Sequence, residues 1–232
     1  MRNILITGAN RGIGFEFARQ SIGRGDRVFA ASRNLEKAIE LQHLASANPK
    51  RMTLIKMDVT NEDDIENAYE IVNESVEGLD ILINNAGIIY RGETPENFSA
   101  EILIESFKTN AIGPMMVAQR FLPLLEKGES PKIINITSQL GSIERKTFGG
   151  HYSYSSSKAA LNMLVRTLAF DIRSKGIIVV VVHPGWVRTD MGGENAPIRT
   201  VDSVQGMLNL IDRLSIENTG SFLTWEGNVL PW

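Results

Sequence analysis

Cysteine is absent from the 232 residues, which removes disulfides, thiolate nucleophiles and cysteine-ligated zinc. Histidine is scarce, and three scattered residues, His43, His151 and His183, do not resemble a metal cluster. An excess of either charge is lacking too. With 24 Lys and Arg against 27 Asp and Glu, the formal net charge of -3 offers no general attraction for nucleic acid or anionic lipid. Long apolar runs are missing: the longest aliphatic stretch, Ile177 to Val182, falls well short of the roughly 20 residues a membrane span needs. It stops at His183-Pro184-Gly185 and reads as a buried strand. The N-terminus passes from Arg2 straight into Asn3-Ile4-Leu5-Ile6-Thr7-Gly8, without a signal-peptide core or cleavage site. The expectation is a cytoplasmic protein with neither membrane nor nucleic-acid partners. No Gly-x-Ser-x-Gly elbow occurs, which disfavours a serine hydrolase.

What is present is an ordinary globular composition, 43% hydrophobic and 22% charged, sufficient for one substantial core. Short β-branched runs alternate with segments of helical period. The runs are Asn3-Thr7, Arg27-Ala31, Met52-Met57, Ile81-Ile83, Lys132-Thr137 and Ile177-Val182, and their continuous apolarity suits strands buried on both faces. Helices are predicted near Ile13-Arg24, Leu35-Ala47, Glu62-Val76, Ala100-Leu125 and Ser155-Ser174, with capping residues from Asp58 to Glu62 before the third and Gly78 closing it. Val201-Leu214 reads as a further helix, and Gly220-Trp232 supplies a last strand. The pattern predicts an α/β protein, a Rossmann-type doubly wound parallel sheet of about seven strands with helices on both faces. No repeat or linker divides it, so residues 1–232 are expected to form a single domain. An irregular loop at about 185–200 follows the sixth strand, on the side where open α/β sheets bind ligands.

The first strand runs into Thr7-Gly8-Ala9-Asn10-Arg11-Gly12-Ile13-Gly14 and then a helix. Glycines there permit a tight turn and close approach of backbone to a pyrophosphate, which the helix N–H groups then face. Farther on, Tyr154 and Lys158 stand at i and i+4 of a helix and so share a face. A phenol is a poor acid or base at neutral pH, and a nearby ammonium favours its ionised form. Tyr152 lacks that partner, because Ser156 stands four positions on.

These motifs resemble the short-chain dehydrogenase/reductase family, whose nucleotide signature is T-G-x-x-x-G-x-G. The resemblance continues in order through Asn84-Asn85-Ala86-Gly87, Asn110, Ser138, Y-x-x-x-K at Tyr154 to Lys158, and Pro184-Gly185 with Thr189. His183-Pro184-Gly185-Trp186-Val187, Met191-Gly192-Gly193 and Leu230-Pro231-Trp232 look most like the sniffer-type carbonyl reductases and the bacterial C-factor proteins within it. The resemblance implies reduction of a ketone, aldehyde or quinone, with Ser138 polarising the carbonyl oxygen, Tyr154 protonating it, Lys158 tuning the tyrosine and holding the nicotinamide ribose, and Asn110 holding a relay water at a helix irregularity. Ser142 rivals Ser138 and stands closer to Tyr154, but Ser138 directly follows the strand Ile133-Asn135-Ile136-Thr137 and is preferred. The extra residues, including Arg145 to Gly150, are expected to enlarge a loop over the substrate. Tyr90, Phe148, Trp186 and Met191 are candidates for an apolar pocket.

The cofactor set is Gly8, Asn10, Arg11, Gly12, Ile13 and Gly14, then Ser32, Arg33 and Asn34, Asp58 and Val59, Asn84, Ala86 and Gly87, Tyr154 and Lys158, and Pro184, Gly185, Val187 and Thr189. No acid follows the second strand to hold a ribose 2′-hydroxyl, whereas Arg33 with Arg11 could receive a 2′-phosphate, which points to NADP(H). Asp58 is read both as an adenine contact, by resemblance, and as a helix cap. A homodimer or homotetramer built from the long fourth and fifth helices is typical of the family. A dinucleotide-binding signalling or sensor protein with little turnover is the alternative. Epimerase or dehydratase relatives carry a larger C-terminal region than this chain.

Overall fold

Seven strands form one parallel sheet in the order β3-β2-β1-β4-β5-β6-β7 in a computed structural model that describes residues 1–232. They are β1 (Asn3–Thr7), β2 (Arg27–Ser32), β3 (Met52–Lys56), β4 (Ile81–Asn84), β5 (Lys132–Ile136), β6 (Ile178–His183) and β7 (Phe222–Thr224). The helices are α1 (Gly12–Gly23), α2 (Ile39–Ala47), α3 (Glu62–Ser75), α4 (Ala100–Phe107), α5 (Gly113–Leu125), α6 (Tyr152–Asp171) and α7 (Thr200–Arg213). The strands are apolar throughout because both faces are covered. In β1, Leu5 joins one core with α3, α5 and α6, while Ile4 and Ile6 join the other with α1 and α7. Val179 and Val181 of β6 likewise point one way and Val180 and Val182 the other. This is the predicted Rossmann-type α/β fold. Strand order reverses between β1 and β4, so their C-terminal ends part and leave a crevice.

Element boundaries differ from expectation where a local contact prevails. The third helix ends at Ser75, and Gly78 serves instead as a close-approach residue, since a Cβ there would lie 2.5 Å from the Lys127 carbonyl oxygen. Asn61, not Asp58, caps α3 by accepting from the Asp64 N–H at 2.9 Å. Asp58 closes the preceding turn through the Thr60 N–H and hydroxyl. The fifth predicted helix begins three residues early, which puts Tyr154 in the first turn of α6.

The long fourth helix is interrupted. Residues Lys108–Ile112 form a π-helical turn between α4 and α5. Two residues explain it. Pro114 has no N–H to offer the carbonyl four residues back, that of Asn110. Gly113 carries no Cβ, which would meet Val59 at 2.9 Å, so the widened turn can lie against the residues that follow β3.

Phe121 of α5 is fully buried and meets Tyr69 of α3 edge-on at 5.6 Å. Phe121→Ala should cost about 3–5 kcal/mol of stability in denaturant unfolding.

Candidate active site

The crevice between β1 and β4 is stitched by one threonine and one asparagine. Thr7 Oγ1 accepts from the N–H groups of Asn85 and Ala86, both at 3.0 Å, and Asn85 Nδ2 donates to the carbonyls of Thr7 and Gly8 at 2.9 and 3.0 Å. The turn that follows can be made only by glycine at two points. Gly8 has φ +65°, and a Cβ on it would lie 2.9 Å from Ala86 Cα; one on Gly14 would lie 2.2 Å from the Gly8 carbonyl oxygen. No side chain caps α1, whose Ncap is Arg11, so its first-turn N–H groups are left for a ligand anion.

A cleft of about 730 Å³ opens above this turn. All six predicted residues of the glycine turn line it, together with Ser32, Arg33, Asn34, Asp58, Val59, Ala86, Gly87, Tyr154, Lys158, Pro184 and Thr189. A cradle closed to any Cβ, an uncapped helix end and a cleft of this size fit a dinucleotide. Three predicted cofactor residues do not line it. Asn84 turns into the sheet interior, where Nδ2 donates to Asn135 Oδ1 at 2.9 Å and to the Pro114 carbonyl at 3.2 Å. Gly185 makes a left-handed turn, φ +86°, beneath Ile198 and Trp225. Val187 is buried in a bridge to Ile198.

Lining residues that the motifs did not single out include Lys37, Glu40, Asn85, Thr137 and Asp190. Asn85 stood within the Asn-Asn-Ala-Gly motif, but spacing could not tell which asparagine faces the turn. Asp190 carries a signal only in three dimensions: its carboxylate accepts from Arg11 at 2.5 Å. Arg33 lies 3.8 Å from Asp58, and Lys37 adds a second cation on that side.

Ser138, Tyr154 and Lys158 converge at the C-terminal end of β5. Lys158 is buried, and its Nζ donates to the Ile136 carbonyl at 2.9 Å; burial pushes its pKa down to about 8. Tyr154 is also buried. Burial drives its phenol up to about 12, with the neighbouring Ser138 hydroxyl acting in the opposite direction. The expected depression by Lys158 is not seen in the protein alone, where desolvation dominates and only the Ser138 hydroxyl opposes it. The Lys158 ammonium lies 5.8 Å from the Tyr154 ring centre.

Ser138 caps a one-turn helix, Gln139–Gly141, by accepting from the Leu140 N–H at 3.1 Å, which leaves its own hydroxyl proton available. Ser142 is committed elsewhere, donating to the Trp232 carbonyl at 3.1 Å and accepting from the Arg145 N–H at 3.2 Å. Tyr152 is partly exposed and packs edge-on against Phe98. Asn110 lies in the π-turn, fully buried. Its side chain accepts from the Ile88 N–H at 2.8 Å and donates to the Ile88 carbonyl at 2.9 Å and Ser157 Oγ at 3.0 Å. Of the four residues proposed for an apolar pocket, only Met191 lines the cleft. Tyr90 donates to Glu105 at 2.5 Å, Trp186 to the Gly192 carbonyl at 2.8 Å, and Phe148 lies under Lys146 at 4.5 Å. No group of three or more His, Asp and Glu could hold a metal ion.

Sheet order, switch-point cleft and glycine cradle define a Rossmann-type α/β protein. Residues 2–199 match the family described as short chain dehydrogenase, and the chain belongs to that family of oxidoreductases. The NADPH-bound carbonyl reductase from chicken fatty liver is 40% identical and superposes with a TM-score of 0.94 over 100% of this chain and 99% of its own. The carbonyl reductase Sniffer of D. melanogaster is 33% identical, with a TM-score of 0.96 over 100% of both chains. C-signal of Myxococcus xanthus is 42% identical over 154 residues, 66% of this chain and 93% of that protein.

The buried lysine has a measurable signature without any ligand. Its folded pKa of about 8 lies below the ordinary 10.5, so between those values the unfolded chain binds more protons and stability rises with pH. In chemical unfolding, the protein should gain stability relative to Lys158→Met between pH 8 and 10.

Proposed function

We propose that this protein is an NADPH-dependent carbonyl reductase acting on a small ketone, aldehyde or quinone. The observation that carries the reading is the convergence of Ser138, Tyr154 and Lys158 beside a cleft whose glycine cradle fits a dinucleotide. When bound, NADPH supplies a hydride. Ser138 donates its free hydroxyl proton to the substrate oxygen and polarises the carbonyl. Tyr154, protonated at neutral pH as a phenol ordinarily is and held further from ionisation by burial, gives its proton to the developing alkoxide. Lys158, still largely charged at neutral pH, faces the phenolate that remains and favours its formation. Asn110 contributes by holding the segment at Ile88 and the helix at Ser157; a relay water belongs to the same reading.

Arg33 and Lys37 on the adenosine side, with Arg11 beside the glycine turn, support NADP(H) over NAD(H), as do structural relatives with NADPH or NADP bound. The similarity to C-signal favours a second reading, a dinucleotide-binding signalling protein. Binding alone has no chemical need for the buried Tyr-Lys pair with a free serine hydroxyl, so the reductase reading is preferred. No helix is long and apolar enough to cross a membrane, and a cytoplasmic location with a small-molecule partner accompanies the proposal. Exposed Ile104 on α4 and Met163 and Phe170 on α6 support a homodimer or homotetramer through these helices.

With a panel of quinones, aldehydes and diketones, the parent protein should oxidise NADPH and Tyr154→Phe should lose on the order of 10²–10⁴-fold in kcat while still binding it. NADPH oxidation by neither would favour the signalling reading. Equilibrium binding should show NADPH held more tightly than NADH, with Arg33→Ala narrowing the difference; equal parent affinities would refute the cofactor assignment.

A further inference from the structure

Helix α6 carries Tyr154 in its first turn, yet its N-terminus has no local cap. His151 occupies the Ncap position in a left-handed conformation, φ 54°, with no side-chain bond to the helix. The acceptor comes from 60 residues away. Glu93, in the segment after β4, is buried, and its two carboxylate oxygens lie 3.1 and 3.2 Å from the Ser153 N–H, while Oε2 accepts from Ser153 Oγ at 2.9 Å. A buried carboxylate therefore stands one residue before Tyr154, against the positive end of the helix.

The same segment is fastened at its other end. Asn110 grips Ile88 and donates to Ser157, so Ser153 and Ser157, one helical turn apart, receive Glu93 and Asn110 respectively. This clamp holds residues 88–93 against the Ser153–Ser157 row of α6, next to the row that bears Tyr154 and Lys158. The two contacts differ in kind, since Glu93 accepts from Ser153 and carries charge, whereas the neutral Asn110 amide donates to Ser157. Nothing in the motifs of the family points to residue 93; the contact exists because the chain after β4 crosses the start of α6.

We propose that Glu93 is a positioning residue for Tyr154: its carboxylate seats the first turn of α6 and keeps the phenol in its proton-bearing form. The inference rests on the reductase reading for its kinetic consequence, though not for its electrostatic one. An uncapped helix N-terminus would favour the phenolate, and an anion placed there opposes that pull. The other groups around this point are Lys158 on α6, Ser138 after β5, His151 at the Ncap, and Lys146, which donates to the Gly150 carbonyl and Ser155. Arg91, on the segment itself, is directed at the Met191 carbonyl.

The test compares Glu93→Gln, which keeps an acceptor and loses the charge, with Glu93→Ala, which loses both. In the holoenzyme, Glu93→Gln should move the alkaline limb of the kcat/KM profile for carbonyl reduction, to which Lys158 and Tyr154 both contribute, down by about half a pH unit, because losing the negative charge favours deprotonation of either group. Glu93→Ala should lower kcat at neutral pH by roughly tenfold to a hundredfold with a smaller change in KM, and the glutamine should restore most of it. NADPH affinity and thermal melting serve as controls for folding. If the alanine variant fails to fold, the glutamine profile decides. An unshifted limb in Glu93→Gln, or parent kcat in Glu93→Ala, overturns the proposal. Ultraviolet titration of the phenol, assigned by subtraction of Tyr154→Phe, separates this from the functional reading. If no substrate is turned over but Glu93→Gln lowers the Tyr154 titration midpoint, the reductase reading fails and the placement of the charge stands; an unmoved midpoint in that case refutes both.

Discussion

A lysine ammonium buried beside a buried phenol is the constraint around which this molecule is arranged. Lys158 has one protein acceptor for its charge, the Ile136 carbonyl, and burial has already lowered its pKa to about 8. Reaching that carbonyl requires α6 to lie close to the end of β5, and Gly141 makes the approach possible. A Cβ on Gly141 would lie 2.9 Å from backbone and side-chain atoms of Lys158, and one on Gly87 would lie 3.2 Å from Asn110 Oδ1. The turn after β5, the turn after β4 and the start of α6 therefore cannot shift independently.

Segments without regular structure are held by specific side chains in consequence. Between β4 and α4 the chain has no strand, but Asn110 and Glu93 bind it to α6 at two points. Beyond β6, the expected irregular loop is organised by its own bonds: Val187 bridges Ile198, Trp186 donates to Gly192, and Thr189 Oγ1 accepts from the Gly192 N–H. Arg11 and Arg91 tie it to the two rims of the cleft through Asp190 and the Met191 carbonyl. The exposed Arg11–Asp190 pair contributes little stability by itself, and its effect is to place a cation beside the glycine turn.

The π-turn between α4 and α5 connects the packing of the core with the site. Gly113 and Pro114 cause it for reasons of space and missing hydrogen, and the widened turn brings Asn110 to face Ile88 and Ser157 rather than solvent. A buried amide with both ends satisfied is rigid, which suits a group that joins a loop to a catalytic helix.

Strand apolarity on both faces, helical spacing and the glycine turn were sufficient to predict the seven-stranded parallel sheet, because each is written in the residues nearest in the chain. The i, i+4 spacing likewise paired Tyr154 with Lys158, and the resemblance to the short-chain dehydrogenase family joined Ser138 to them as a set. The sequence by itself could not show that desolvation would dominate the tyrosine pKa, since burial is a property of the assembled core. Nor could it separate Asn84, directed into the sheet, from Asn85, directed at the glycine turn, because the backbone changes direction where β4 ends. Glu93 and Asp190 acquired their partners only through tertiary structure. Their contacts span 60 and 179 residues, and no local pattern encodes a meeting that depends on where two separate strands end.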